Sequence, residues 1–171
     1  MFSAQAATFT FGLSLDGEAN AFQSVDGIGL TVENASIVGL GAGLFVSTVD
    51  GIVLSDSAAG NVQSFDLVFD TDVYINSFSI GSVLNGGGTI GLSVAGGSTI
   101  SGLDASIVQT VNLGSPILVT SGTSVTLSTA GYGAAAISNL ADITVEAVPE
   151  PAQASVLLGT AAVLILLGRR R

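Results

Sequence analysis

Thr8-Phe9-Thr10-Phe11-Gly12-Leu13-Ser14-Leu15 alternates without a break, and Asp16-Gly17 follows it as a turn signal. Successive side chains of an extended strand point to opposite faces, so Phe9, Phe11, Leu13 and Leu15 line one face and Thr8, Thr10 and Ser14 the other. Ser64 to Asp70 repeats the pattern, with Phe65, Leu67 and Phe69 inward and Ser64, Asp66 and Asp70 toward water. Further strands are expected near Ile28–Val32, Ile52–Leu54, Val73–Ile80, Thr89–Val94, Ile107–Leu113, Ile117–Thr120, Val125–Ser128 and Ile143–Val145. Between them lie Asp26-Gly27, Asp50-Gly51, Asn85-Gly86-Gly87-Gly88, Gly96-Gly97 and Ser121-Gly122, all turn formers. Short strands about ten residues apart predict an all-β, two-sheet antiparallel sandwich of jelly-roll type over residues 7–147. A parallel α/β sheet is excluded, because its strands are apolar on both faces and do not alternate.

Ser24-Val-Asp-Gly-Ile28 and Thr48-Val-Asp-Gly-Ile52 recur 24 residues apart. With no third copy a solenoid is disfavoured, and two similar hairpins are expected instead. Phe22, Phe45, Phe65, Phe69 and Phe78 are assigned to the core.

Composition narrows the function. All thirteen acidic residues lie between Asp16 and Glu150, and the three basic ones are Arg169, Arg170 and Arg171. The chain ahead of those arginines therefore carries thirteen negative charges and no positive one, a net charge of −13. Nucleic-acid binding needs cations to displace counterions from phosphates, so nucleic acid is excluded as a partner. Neutral or cationic partners are compatible: sugars, divalent ions, basic proteins. The absence of cysteine removes disulfides and thiolate metal sites, and the absence of histidine removes zinc.

The two ends read differently from the body. Ala4-Gln5-Ala6 matches the small-x-small pattern of signal-peptide cleavage, but no basic and apolar region precedes it. Residues 1–6 are either the remnant of a signal peptide whose start lies upstream or an alanine-rich lead-in to the first strand. At the other end, Val148-Pro149-Glu150-Pro151 is followed by the uncharged stretch Ala152–Gly168 and then three arginines. As a helix those 17 residues would be about 25 Å long, short of the roughly 30 Å hydrocarbon layer by an amount that arginine snorkelling and local thinning absorb. A single C-terminal transmembrane helix is expected, with the arginines cytoplasmic and the acidic body outside. The two prolines stop helix propagation into the body.

The order Pro149-Glu150-Pro151, apolar helix, Arg169-Arg170-Arg171 resembles the PEP-CTERM sorting signal of Gram-negative bacteria, over residues 148–171. The resemblance implies export through the Sec machinery, transient anchoring in the inner membrane, and recognition by an exosortase. Processing near the motif would then deliver the body to the cell surface or to an exopolysaccharide matrix. On that basis Pro149, Glu150 and Pro151 are read by another enzyme and Arg169–Arg171 form the cytoplasmic basic anchor.

No catalytic residue is assigned. The body lacks Cys, His and Lys, and it has no Trp and two tyrosines, Tyr74 and Tyr132, for stacking sugars. Carboxylate pairs leave a glycosidase chemically conceivable but disfavoured. Calcium is the one ion considered: Asp66, Asp70 and Asp72 cluster at a strand end and offer several oxygens. Asp16-Gly17-Glu18-Ala19-Asn20 also offers oxygens at alternate positions, but position twelve of an EF-hand loop counted from Asp16 is Gly27, where a bidentate glutamate belongs. The alternative for both clusters is solvated turn residues that keep sheet edges soluble. A non-enzymatic surface or matrix protein is expected first, and a carbohydrate-binding adhesion module, with calcium as its candidate ion, second.

Overall fold

A computed structural model describes residues 6–11, 20–37, 41–42, 51–54, 63–84, 88–131 and 137–149. These form twelve strands: β1 Ala6–Thr10, β2 Ala21–Val25, β3 Ile28–Ile37, β4 Gly41–Ala42, β5 Ile52–Leu54, β6 Gln63–Phe69, β7 Val73–Leu84, β8 Thr89–Val94, β9 Thr99–Asp104, β10 Gln109–Val119, β11 Ser124–Ala130 and β12 Ile137–Ala147. Among the described residues there is no helix, and every strand pairing is antiparallel.

The strands make two sheets. The first runs β1-β12-β7-β10, with β5 also on β12; the second runs β2-β3-β6-β11-β8-β9, with β4 on β3. β7 fills one edge of β12. β1 and β5 share the other edge, β5 along Ser138–Leu140 and β1 along Asp142–Glu146. From β5 onward the chain passes between sheets at every connection except the β8–β9 hairpin.

Alternation explains why the sheets associate. Phe65, Leu67 and Phe69 of β6 point the same way as Ile90, Leu92 and Val94 of β8 and Val125 and Leu127 of β11, and all are buried. Phe9, Ile75, Phe78, Ile143 and Val145 do the same from the first sheet, and one continuous core results. Phe9 and Phe69 meet edge-to-face with ring centroids 6.1 Å apart, which joins the two layers directly. Each fully buried side chain of this size contributes roughly 1.5–3 kcal/mol.

The turns follow their residues. Asp26 (φ 53°) and Gly27 (φ 80°) both have positive φ, and Val25 pairs with Ile28, which is the two-residue hairpin that suits strand twist. The second Val-Asp-Gly-Ile copy has another fate. Ile52–Leu54 pairs with β12, and Gly51 (φ 131°) is buried where a Cβ would come within 2.6 Å of the Leu140 carbonyl oxygen. Thr48–Asp50 lie outside the described residues.

Several expectations need correction. Phe22 is 63% exposed, because β2 buries Ala21 and turns the phenylalanine outward, over the backbone of Gly29. The strands expected at Ile107–Leu113 and Ile117–Thr120 are one strand, β10, whose pairing with β7 shifts between Asn112 and Ile117. Ile107 and Val108 precede it and are exposed. The strand at Ile28 continues to Ile37, β2 is the strand that the hairpin at Asp26-Gly27 requires, and β4 and β9 are additional to the expected strands. Phe45, Gly12–Leu15 and the helix expected over Ala152–Gly168 lie outside the described residues.

Candidate functional site

Asp66, Asp70 and Asp72 all come from β6 and the link that follows it, but each carboxylate serves a different donor. Asp66 is mid-strand on the outer face, directly opposite Glu33 on β3 and Thr126 on β11. It accepts from Thr126 Oγ1 at 2.6 Å and from Asn34 Nδ2 at 2.8 Å, one on each oxygen. Asn34 reaches it from the irregularity in β3, where its own φ is 53°. Asparagine tolerates that left-handed backbone better than most residues.

Asp70 leaves β6 and folds back on β3. Its Oδ1 accepts the Gly29 N–H at 2.7 Å, while its own N–H donates to the Gly29 carbonyl at 3.0 Å. A side chain at position 29 would meet both the Asp70 carboxylate and the Phe22 ring. Asp72 turns the other way: its Oδ1 accepts the Ser121 N–H at 2.8 Å, and Ser121 Oγ donates to the Asp70 carbonyl at 2.8 Å. Asp72 also receives the Val148 N–H on its carbonyl at 2.9 Å. Residues 70–72 thus join the start of β3, the β10–β11 turn and the point where the chain leaves β12.

The three carboxylates do not converge. Calcium takes six to eight oxygens around one point, and among the described residues no three His, Cys, Asp or Glu side chains are grouped to hold a metal. Of the second cluster, Asp16–Ala19 lie outside the described residues and Asn20 is exposed. The closest carboxylate pair by register is Glu33 and Asp66, on an open sheet face with both Asp66 oxygens engaged.

Of the sorting motif, Pro149 is described and exposed, one residue past the Val148 hydrogen bond. Glu150, Pro151 and Arg169–Arg171 lie outside the described residues. No helix among the described residues is long and apolar enough to cross a membrane.

Two features went unnoticed in the sequence. Asp104 accepts from both the N–H and the hydroxyl of Ser106, and these bonds, the side-chain one foremost, hold its carboxyl below the usual aspartate value. Asp104 followed two residues later by Ser106 is a recognisable Asx-turn signal. The outer face of the first sheet carries two register-aligned polar rows, Thr8–Thr144–Ser77–Asn112 and Thr10–Asp142–Ser79–Thr110. Thr8 shares a hydrogen bond with Thr144, and Ser79 with Thr110.

No protein-family model matches this sequence, and comparison with curated proteins finds no relative.

Proposed function

We propose that this chain is a non-enzymatic, exported surface or matrix protein, delivered by its C-terminal tail and processed there by an exosortase. The observation that carries this reading is the exposure of Pro149 at the end of β12. Among the described residues the last backbone hydrogen bond is from Val148 to Asp72, and the next residue, Pro149, is exposed and opens the Pro-Glu-Pro motif. A processing enzyme would meet that motif directly after β12, with the apolar stretch and the arginines following in sequence. The titratable side chains of the body are carboxylates and tyrosines, and each of the three site carboxylates is hydrogen-bonded, Asp66 across strands and Asp70 and Asp72 to backbone N–H groups.

The strand order supports the finer fold assignment. β5-β12-β7-β10 set against β6-β11-β8-β9 is the order of an eight-stranded jelly roll, with β1 and the β2–β4 strands added at its margins. The tail is read as a transmembrane helix in the inner membrane before processing, after export by the Sec machinery.

The test is expression with and without an exosortase, followed by fractionation and mass spectrometry of the body's C-terminus. The proposal expects release of a species ending near Pro149 to Pro151 only when the enzyme is present. Recovery of the intact chain from the cytosol in both cases would refute it.

A second reading, binding of a neutral exopolysaccharide, is favoured by the two polar rows on the first sheet, which present short hydroxyl and amide groups and one carboxylate, Asp142. Titration with neutral glycans, with and without calcium, tests it. No thermal shift under either condition would leave the structural role alone.

A further inference from the structure

The place where the chain leaves the body also decides which way the body faces. Ala147 pairs with Val73, and Val73 with Val119, so β12, β7 and β10 finish in one row at one end of the first sheet. The turns at 26–27, 70–72, 95–97 and 120–123 belong to that same end. Val148 is pinned to Asp72 there. From Pro149 to Ala152, where the uncharged stretch begins, is three residues, about 10 Å when fully extended. Pro149 and Pro151 disfavour helix across that joint. The end of the body therefore lies within about 10 Å of the first apolar residue, roughly one Debye length at physiological salt.

One row in from this end, Tyr74 and Leu118 stand opposite each other and both face outward, 36% and 50% exposed. A tyrosine beside an aliphatic side chain suits the boundary between headgroups and acyl chains, where an apolar body and a polar tip are both accommodated. The tail leaves from the first sheet, the sheet that carries this pair, while Asp26 and Asp70 belong to the second. Glu146, across from Tyr74 on its other side, and Asp72, exposed just before β7, oppose approach to anionic lipid.

We propose that, while anchored, the sandwich stands end-on to the bilayer, with this turn-bearing end toward the headgroups and Tyr74 and Leu118 in contact with the interface of zwitterionic lipid. This rests on the reading that the tail enters the membrane. The opposite end, where Ile107 and Val108 are exposed, points away: Gln109 pairs with Ile80, seven residues along β7 from Val73, about 23 Å at roughly 3.3 Å per residue.

The chain has no cysteine, so single labels are unambiguous. The experiment places a fluorophore on Leu118→Cys, Ala95→Cys or Val108→Cys of the full chain in phosphatidylcholine vesicles containing a headgroup nitroxide lipid. The expected result is several-fold stronger quenching at positions 118 and 95 than at 108, with less quenching at 118 when phosphatidylglycerol replaces half the lipid. Ala95, in an exposed turn, carries the comparison if the Leu118 variant fails to fold. Protein that floats with the vesicles but is quenched equally or more at 108 overturns the orientation while leaving the tail reading intact. Protein that does not float overturns the tail reading, and the orientation with it.

Discussion

Glycines 27 and 51 occupy the same place in two nearly identical pentapeptides, and the structure gives them unequal tasks. Both have positive φ, but nothing lies within 4 Å of a Cβ built at Gly27, whereas at Gly51 a Cβ would press on the Leu140 carbonyl. Gly27→Ala is expected to cost about 1–2 kcal/mol, the ordinary penalty of a left-handed alanine. Gly51→Ala should cost clearly more, because overpacking of roughly 1–3 kcal/mol is added to the backbone term. Urea denaturation of the two variants checks the order, and equal losses would contradict the assigned environments. Asp104 supplies a pH prediction. Its folded pKa lies below its unfolded one, so its contribution is present above the unfolded value and is lost as pH falls through the folded value. Asp104→Asn should therefore lower stability at neutral pH and leave it unchanged at strongly acid pH, as measured by thermal melts across that range. The sequence alone could not separate the two glycines, because their difference comes from β12, almost ninety residues further on.

At the scale of the strand, alternation was legible wherever both faces contrast strongly. Phe65-Asp66-Leu67-Val68-Phe69 declares its inward side, and β6, β7, β8 and β11 follow the expected spans closely. It failed on β2, where a large aromatic residue faces outward at the sheet margin and small Ala21 faces in. It failed on β9 as well, whose Thr-Ile-Ser-Gly-Leu-Asp offers only Ile100 and Leu103 to the core, out of strict alternation across a pairing irregularity. The division of β10 had a physical basis too, since Gly114 and Pro116 interrupt a marginal strand that has one neighbour. The contrast between β2 and β6 can be measured. Phe69→Ala should cost about 3–5 kcal/mol, as for other fully buried aromatic residues. Phe22→Ala, at a side chain that faces outward and is largely exposed, should cost about 1 kcal/mol or less. Comparable losses would return Phe22 to the core. The candidate site was legible only as residue types: Asp66, Asp70 and Asp72 lie close in sequence, but their donors come from β3, β11 and the β10–β11 turn, which local spacing does not reveal.

For the whole molecule the dominant fact is charge without compensation. Twelve carboxylates lie within residues 1–147 and no lysine, arginine or histidine accompanies them, so the body cannot form a side-chain ion pair of its own. Hydroxyls, amides and backbone N–H groups take the place of counterions, as at Asp66, Asp70, Asp72 and Asp104. Self-repulsion of this kind is screened by salt, with a Debye length that falls from about 30 Å at 0.01 M to about 8 Å at 0.15 M. The melting temperature of the body, freed of residues 150–171, should therefore rise between those two salt concentrations. A fall or no change would mean that the carboxylates are already neutralised by something bound.

The arrangement around β12 has a mechanical side. β12 is the strand that ends at the joint, and it is bordered along nearly its full length, by β7 on one flank and by β1 and β5 on the other. A pull on the joint acts along the strand, and antiparallel hydrogen bonds lie across that direction. The load is thus shared in shear by many rungs together, where a strand at the margin would peel away one rung at a time. A tether fastened at this point can be tugged hard before the body yields.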